Sequence, residues 1–462
     1  MQLQLRIQPV QLEMSAAESD PFAAVLATAG HDPLLSAWHG PAVGQASQPT
    51  LRGRGAAVAV ILSATAVKTL VAPSFSALQA ALAEVAPATD AQLAFPAPQF
   101  SLASSQWEKL VTGTSVATDS LSLAEFQTAS GLSAPIAFFS FGFSPAAGAV
   151  LLIPQATTVV TDQGAWELLI TKVADQELPA LAPEDMAPVK GPENSAQPVF
   201  ALQDDSADAW EKAVAQLVSK LQAGQAHKTV LARPVQVRSE IPLQLDWILR
   251  KLAAAYPTTW KFAVAGLVGA TPEMLADVRS GQVFSRVLAG TCAPGNETYL
   301  ETSVKDHAEH KFAADSVVEA LRPWCAELAV SPQPFILKLP NVSHLATDVA
   351  GPLKATSAHP LFEILGSLHP TAAVCGTPTA QAFSLIRQLE PSDRGRYAAP
   401  VGWVDGAGNG AGGLALRCGQ VDSSQRQITL MAGCGIMPGS DPAAEVAETR
   451  AKLRPLLGVF GL

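Results

Sequence analysis

An excess of positive charge, paired cysteines and an apolar run long enough to span a membrane are all missing from this chain of 462 residues. Lys and Arg number 30 against 40 Asp and Glu, a net charge of −10. That balance argues against broad electrostatic binding to nucleic acid or an anionic membrane, and leaves room only for a locally basic pocket. The five cysteines, Cys292, Cys325, Cys375, Cys418 and Cys434, form no C-x-x-C pair. Scattered and odd in number, they read as reduced core thiols of a cytoplasmic protein. The least charged long stretch, Ala134 to Thr161, is interrupted by Pro135, Gly142, Pro145, Gly148 and Pro154. It reads as strands and turns rather than a membrane span. Met1 to Arg6 alternates apolar and polar residues like a first strand, and no signal peptide is expected. No solenoid-type repeat is present.

With 48% apolar and 15% charged residues, the chain is neither disordered nor fibrous. Its length suits two to four domains or one large α/β unit. Residues 1 to about 175 carry short β-like runs such as Val58–Leu62 and Ala149–Ile153, without a catalytic constellation. Gln176 to Pro198 holds five prolines among acidic and small residues and reads as a linker. Beyond it, Trp210, Val214, Leu217, Val218 and Leu221 fall on one helical stripe, opened by Ser206 and stopped by Gly224. Strands are predicted over His227–Arg238, Phe262–Gly269, Gln282–Ala289, Phe335–Leu339, Gly413–Arg417 and Ile428–Met431. Helices are predicted over Lys305–Leu321 and after Ser440 or Asp441, and a tight turn over Gly433–Ile436. The alternation indicates an α/β protein, largely antiparallel where strands follow one another directly.

Two acidic pairs, Asp306/Glu309 and Glu445/Glu448, have a spacing of three, which places each pair on one helical face. Carboxylates so placed suit a hard cation such as Mg²⁺, and they also suit a plain solvated helix surface. Lys228 shares the apolar face of its strand with Val230 and Ala232. It reads either as a lysine reaching solvent at a strand edge or as a buried amine able to act as a base. Glu273 follows Pro272 after a buried strand, where a carboxylate at a helix N-terminus is the plain alternative. Amides around Gly433 and Gly435 could hold a carboxylate or simply shape a turn.

Taken in order, these residues carry a resemblance. The blocks His227–Arg233, Gly269–Glu273, Leu288–Thr291, Lys305–His310, His344–Thr347, Leu368–Gly376, Asp393–Tyr397, Gly402–Val404, Ala415–Arg417, Gly433–Ile436 and Glu445–Lys452 are similar to those of the chorismate-utilising enzymes, the family of isochorismate, salicylate, anthranilate and aminodeoxychorismate synthases. The resemblance implies one large α/β (α+β) sandwich of two packed, mainly antiparallel sheets with helices outside. Residues 1–200 would complete that sandwich, and residues 201–462 would form the chorismate-binding region. It implies Mg²⁺ held by Glu309 and Glu448, with Asp306 and Glu445 on the metal's waters. Substrate carboxylates would meet Arg417, Lys452, Tyr397, Gly433 and Gly435, while Gly290, Thr291 and His344 to Thr347 line the pocket. A lysine at Lys228 implies water as nucleophile. Ala289 stands where the aminodeoxychorismate group has its nucleophilic lysine, and Ala373 stands where salicylate and anthranilate synthases carry threonine. Isochorismate is therefore the expected product: Lys228 takes the proton of the water attacking C2, and Glu273, with a raised pKa, protonates the leaving C4 hydroxyl. The alternatives are a salicylate synthase that goes on to expel pyruvate, and a non-catalytic chorismate-binding homologue. Leu414, Cys434 and Met437 depart from the family pattern. The resemblance leaves both menaquinone and catecholate siderophore synthesis open, and a monomer is expected.

Overall fold

A computed structural model describes residues 1–11, 21–27, 32–41, 47–85, 95–179, 199–204, 206–339, 342–354 and 359–462. Two large sheets organise them. In the first, the strands run Phe200–Gln203, Lys228–Ser239, Gln427–Ile436, Cys418–Val421, Leu267–Thr271, Trp260–Val264, Ser36–His39, Thr50–Arg54, Ala156–Thr161, Gly164–Val173, Leu3–Pro9 and Thr114–Val116. In the second, the central order is Ser343–Pro352, Gln282–Cys292, Met274–Arg279, Gly410–Leu414, Pro400–Asp405, Ile136–Ser140, Ala149–Ile153, Val58–Leu62 and Val67–Val71. Pairing is antiparallel throughout, except that Leu3–Pro9 runs parallel to Thr114–Val116. The expected mainly antiparallel sandwich with outer helices is the fold observed.

Both sheets continue across the two halves of the chain. Lys261 pairs with His39 in one sheet and Trp403 with Phe138 in the other. A single apolar core takes Trp38 and Phe262 from the first sheet and Phe138, Phe139 and Trp403 from the second. Strands such as Val58–Leu62, buried on both faces, show the continuous apolar runs this position requires, whereas Leu3–Pro9 buries only Leu3, Leu5 and Ile7. Outside the first sheet, helices Leu245–Ala255 and Pro442–Leu457 cover a second cluster that includes Leu249, Leu252, Leu430 and Leu453. Helix Ala207–Gln222 buries Trp210, Val214, Leu217 and Leu221, as its periodicity predicts. No helix among the described residues is long and apolar enough to cross a membrane.

Several expectations are corrected. Phe262–Gly269 is not one strand but part of a hairpin, Trp260–Val264 and Leu267–Thr271, turning at Ala265 (φ 50°) and Gly266 (φ 79°). Positive φ at two successive residues is the primed turn that fits the twist of a hairpin, and an apolar run hides it. Gly433–Ile436 is no turn: it continues strand Gln427–Ile436, with Ala232 opposite Gly433 and Val230 opposite Gly435. Arg417 lies beyond strand Gly410–Leu414, not within it. Ser206 sits at the start of its helix, but its hydroxyl donates to the Pro234 carbonyl instead of capping. Gln176–Glu177, placed in the linker, form a short strand against Lys172–Val173. The rest of that linker from residue 180 to 198 lies outside the described residues.

Candidate active site

Two of the places where the C-terminal half of the chain crosses from one sheet to the other form the frame of the site. The first crossing, between strands Leu267–Thr271 and Met274–Arg279, carries Pro272 and Glu273. The second, between Gly410–Leu414 and Cys418–Val421, carries Arg417. The crossings run side by side, tied by Leu414 N–H to the Glu273 carbonyl and Ala270 N–H to the Arg417 carbonyl, both at 3.1 Å. No helix follows Pro272, so Glu273 is not a helix-terminal carboxylate. Arg417 adopts φ 48°, a left-handed conformation that costs a non-glycine residue about 1 kcal/mol or more. The paired crossing holds it there.

Between these crossings and the glycines of strand Gln427–Ile436 opens a cavity of about 250 Å³. Its walls include Glu273, Gly290, Thr291, Asp306, Glu309, His344, Ala373, Tyr397, Arg417, Gly433, Gly435, Glu445, Glu448 and Lys452. The sequence-derived set therefore converges on one cavity, with two exceptions. Lys228 is fully buried beside it, its Nζ 2.9 Å from Glu309 Oε1 in ion-pair contact although no hydrogen-bond geometry is met. Thr347 does not line the wall; its hydroxyl is 2.7 Å from His310 Nε2.

Two helices bring the carboxylates. Ser303 caps helix Val304–Leu321 by accepting from Asp306 N–H at 3.2 Å, and its hydroxyl donates to the Asp306 carboxylate. Asp441 caps helix Pro442–Leu457 by accepting from Ala444 N–H at 2.8 Å. The spacing then puts Glu445, Glu448 and Lys452 on one face. His310 is 1% exposed and ties its helix down. Its Nδ1 donates to the Ala289 carbonyl at 3.1 Å, so Nε2 accepts from Thr347. At Gly290 the strand bulges with φ 76°, and an added Cβ would lie 3.1 Å from the Asp306 Cβ. Glycine there lets the helix approach.

The electrostatics divide by role. Burial, opposed by Arg417 and Lys228, pushes the Glu273 carboxyl up to about 8. Burial, reinforced by Arg417 and Lys452, drives the His344 imidazole far below its usual range. His344 is thus neutral, with Nδ1 3.0 Å from the Thr291 hydroxyl. Burial and the neighbouring Glu448 raise Glu445. Burial opposes ionisation of Glu448 too, but Lys452, 2.6 Å away, overcomes it. Besides Glu273, four carboxyl side chains, Asp306, Glu309, Glu445 and Glu448, face the cavity. Glu445 is held against its charged neighbour, with Lys305 only at 3.9 Å. An all-oxygen set of this kind fits a hard divalent cation, which takes one or two carboxylates directly and others through water. Tyr299, Lys305 and Arg394 also reach the wall and were missed. Arg394 is saturated by Glu390 and the Val374 and Val230 carbonyls, so its place there is structural. The motif block around Lys305 was the available signal for that residue; Tyr299 had none.

Comparison with known proteins agrees with this geometry. A family model described as chorismate binding enzyme matches residues 146–461. Isochorismate synthase DhbC of Bacillus subtilis is 36% identical over 272 residues, 55% of this chain and 68% of the relative. Isochorismate synthase MenF of the same organism is 34% identical over 296 residues, 62% of each chain. The solved structure of MenF, the menaquinone-specific isochorismate synthase from Escherichia coli, superposes with a TM-score of 0.67 at 18% identity, covering 99% of this chain and 94% of that one, and shows the shared fold. By its matched length and its relatives, the chain belongs to the chorismate-binding enzyme family.

Proposed function

We propose that this protein is an isochorismate synthase, an isomerase that adds water at C2 of chorismate and expels the C4 hydroxyl with Mg²⁺ as cofactor. The observation that carries the reading is a pair of proton-transfer groups, the Lys228 amine buried beside the cavity and the Glu273 carboxyl in its wall, which burial pushes up to about 8 and so holds protonated at neutral pH. In its neutral form the Lys228 amine accepts the proton of the attacking water. Glu273 delivers its proton to the departing hydroxyl, and the roles exchange in reverse. Arg417 and Lys452 receive the substrate carboxylates, with Tyr397 and the Gly433 and Gly435 backbone shaping the same wall. Arginine's planar fork suits a carboxylate's two oxygens. Neutral His344, anchored by Thr291, adds a polar edge without adding charge.

Glu309 and Glu448 would hold the Mg²⁺, with Asp306 and Glu445 on its waters. Bound there, it would supply charge neutralisation and orientation for a substrate carboxylate. Ala373 leaves the ring wall without a hydroxyl, which supports release of isochorismate over elimination of pyruvate. The product would feed menaquinone or catecholate siderophore synthesis. Incubation with chorismate and Mg²⁺ should yield isochorismate by chromatography, and EDTA should abolish the conversion. Stoichiometric salicylate and pyruvate would replace the reading with a salicylate synthase; full turnover in EDTA would remove the metal.

A further inference from the structure

Behind the two glycines the carboxylate cluster meets sulfur. Strand alternation turns Cys434 to the face opposite Gly433 and Gly435. There it is 1% exposed, and its thiol donates to the Glu445 carbonyl at 3.4 Å. One ligand atom each from Cys434, Glu445 and Glu448 lies within 4.8 Å of the other two. Metal–sulfur and metal–oxygen bonds are about 2.0–2.3 Å, so an ion placed among these three atoms reaches all of them with only small side-chain shifts. Mg²⁺ selects oxygen, whereas a thiolate selects softer ions.

We propose that Cys434, Glu445 and Glu448 form a mixed sulfur–oxygen site for a thiophilic divalent cation of the Zn²⁺ or Cd²⁺ type, and that filling it withdraws Glu445 and Glu448 from Mg²⁺. The competition, though not the sulfur ligation, rests on the Mg²⁺ assignment made above. On binding, the S–H bond breaks, the proton leaves to solvent and a sulfur–metal bond forms; no electrons are transferred. Cys292 is the other candidate thiol, being the one free cysteine that is not fully buried.

The test is titration of the full chain with CdCl₂ in the absence of substrate, followed by the ultraviolet sulfur-to-cadmium charge-transfer band and by calorimetry. The wild type should show a stoichiometric band. Cys434→Ala and Cys434→Ser, checked for folding by circular dichroism, should lack it and bind Cd²⁺ at least about tenfold more weakly. Cys292→Ala should keep the band, and added Mg²⁺ should weaken the apparent Cd²⁺ affinity of the wild type. No band in the wild type, a band surviving Cys434→Ala, or one lost in Cys292→Ala would overturn the sulfur site. A band indifferent to Mg²⁺ would overturn the shared carboxylates. None of these readouts depends on chorismate turnover.

Discussion

Glu273 is a carboxyl that the native chain keeps protonated and the unfolded chain does not. With a native value of about 8 against an ordinary 4.5, folding takes up a proton between those pH values. The stability it contributes is present below about 4.5 and is lost as pH rises toward 8. Glu273→Gln keeps the shape without the titration. Its melting temperature should match the wild type at pH 4 and exceed it near pH 8, and its turnover should fall about 10²–10⁴-fold. An equal melting difference at both pH values would disprove the raised carboxyl. For the same reason wild-type turnover should decline as pH passes about 8. Lys228→Met keeps the stem and removes the amine. It should slow the reaction at least about a hundredfold, measured as kcat under saturating chorismate, and near-normal turnover would exclude Lys228 as the base. At Ala373, half-buried in the ring wall, Ala373→Thr adds a methyl and a hydroxyl. A change of that size shifts barriers by about 1–3 kcal/mol, and it should lower isochorismate formation as read by chromatography.

At the scale of elements, the site depends on how closely a helix and two strands approach. A Cβ on Gly435 would lie 2.6 Å from Glu309 Oε1 and 2.8 Å from Lys228 Cε. Its φ is not left-handed, so Gly435→Ala costs little backbone strain and acts by displacing that ion pair. The variant should fold, bind Mg²⁺ more weakly by calorimetry and lose turnover; unchanged Mg²⁺ affinity with full activity would show that the strand yields instead. Helix Val304–Leu321 is located by His310, which joins the Ala289 carbonyl on one strand to Thr347 on the next. The same contact fixes the bulge at Gly290, so the carboxylates of the helix and the Gly290–Thr291 wall are set together.

At the scale of the molecule, the N-terminal half contributes no predicted site residue, yet both sheets pass through it. Cutting before residue 201 would bare the Trp260–Val264 edge, which Ser36–His39 covers, and the Pro400–Asp405 edge, which Ile136–Ser140 covers. Such edges are templates for aggregation. A fragment of residues 201–462 should therefore fail to unfold cooperatively. Phe138→Ala, at the junction, should destabilise the whole chain by about 3–5 kcal/mol in a denaturant titration. A cooperative, active fragment would show that the halves fold independently.

The acidic pairs were legible because helical spacing is a local rule: three residues along the chain is one face, wherever the helix lies. The helix stripe through Trp210 was legible for the same reason, and the face of Lys228 was legible from the two-residue alternation of its strand. Gly433–Ile436 was misread because glycine permits a turn without requiring one, and here pairing with Lys228–Ser239 supplies the ladder that makes it strand. The hairpin within Trp260–Thr271 was hidden because buried strands and their turn shared one apolar composition. No local pattern could show that Glu273 and Arg417 sit on adjacent crossings between sheets, that Lys228 meets Glu309, or that Cys434 lies behind the carboxylates. Those contacts join segments far apart in the chain, and burial, the cause of the Glu273 shift, exists only once both sheets have closed around it. Residue chemistry and spacing chose the cast; the packing of the two sheets fixed its distances and charges.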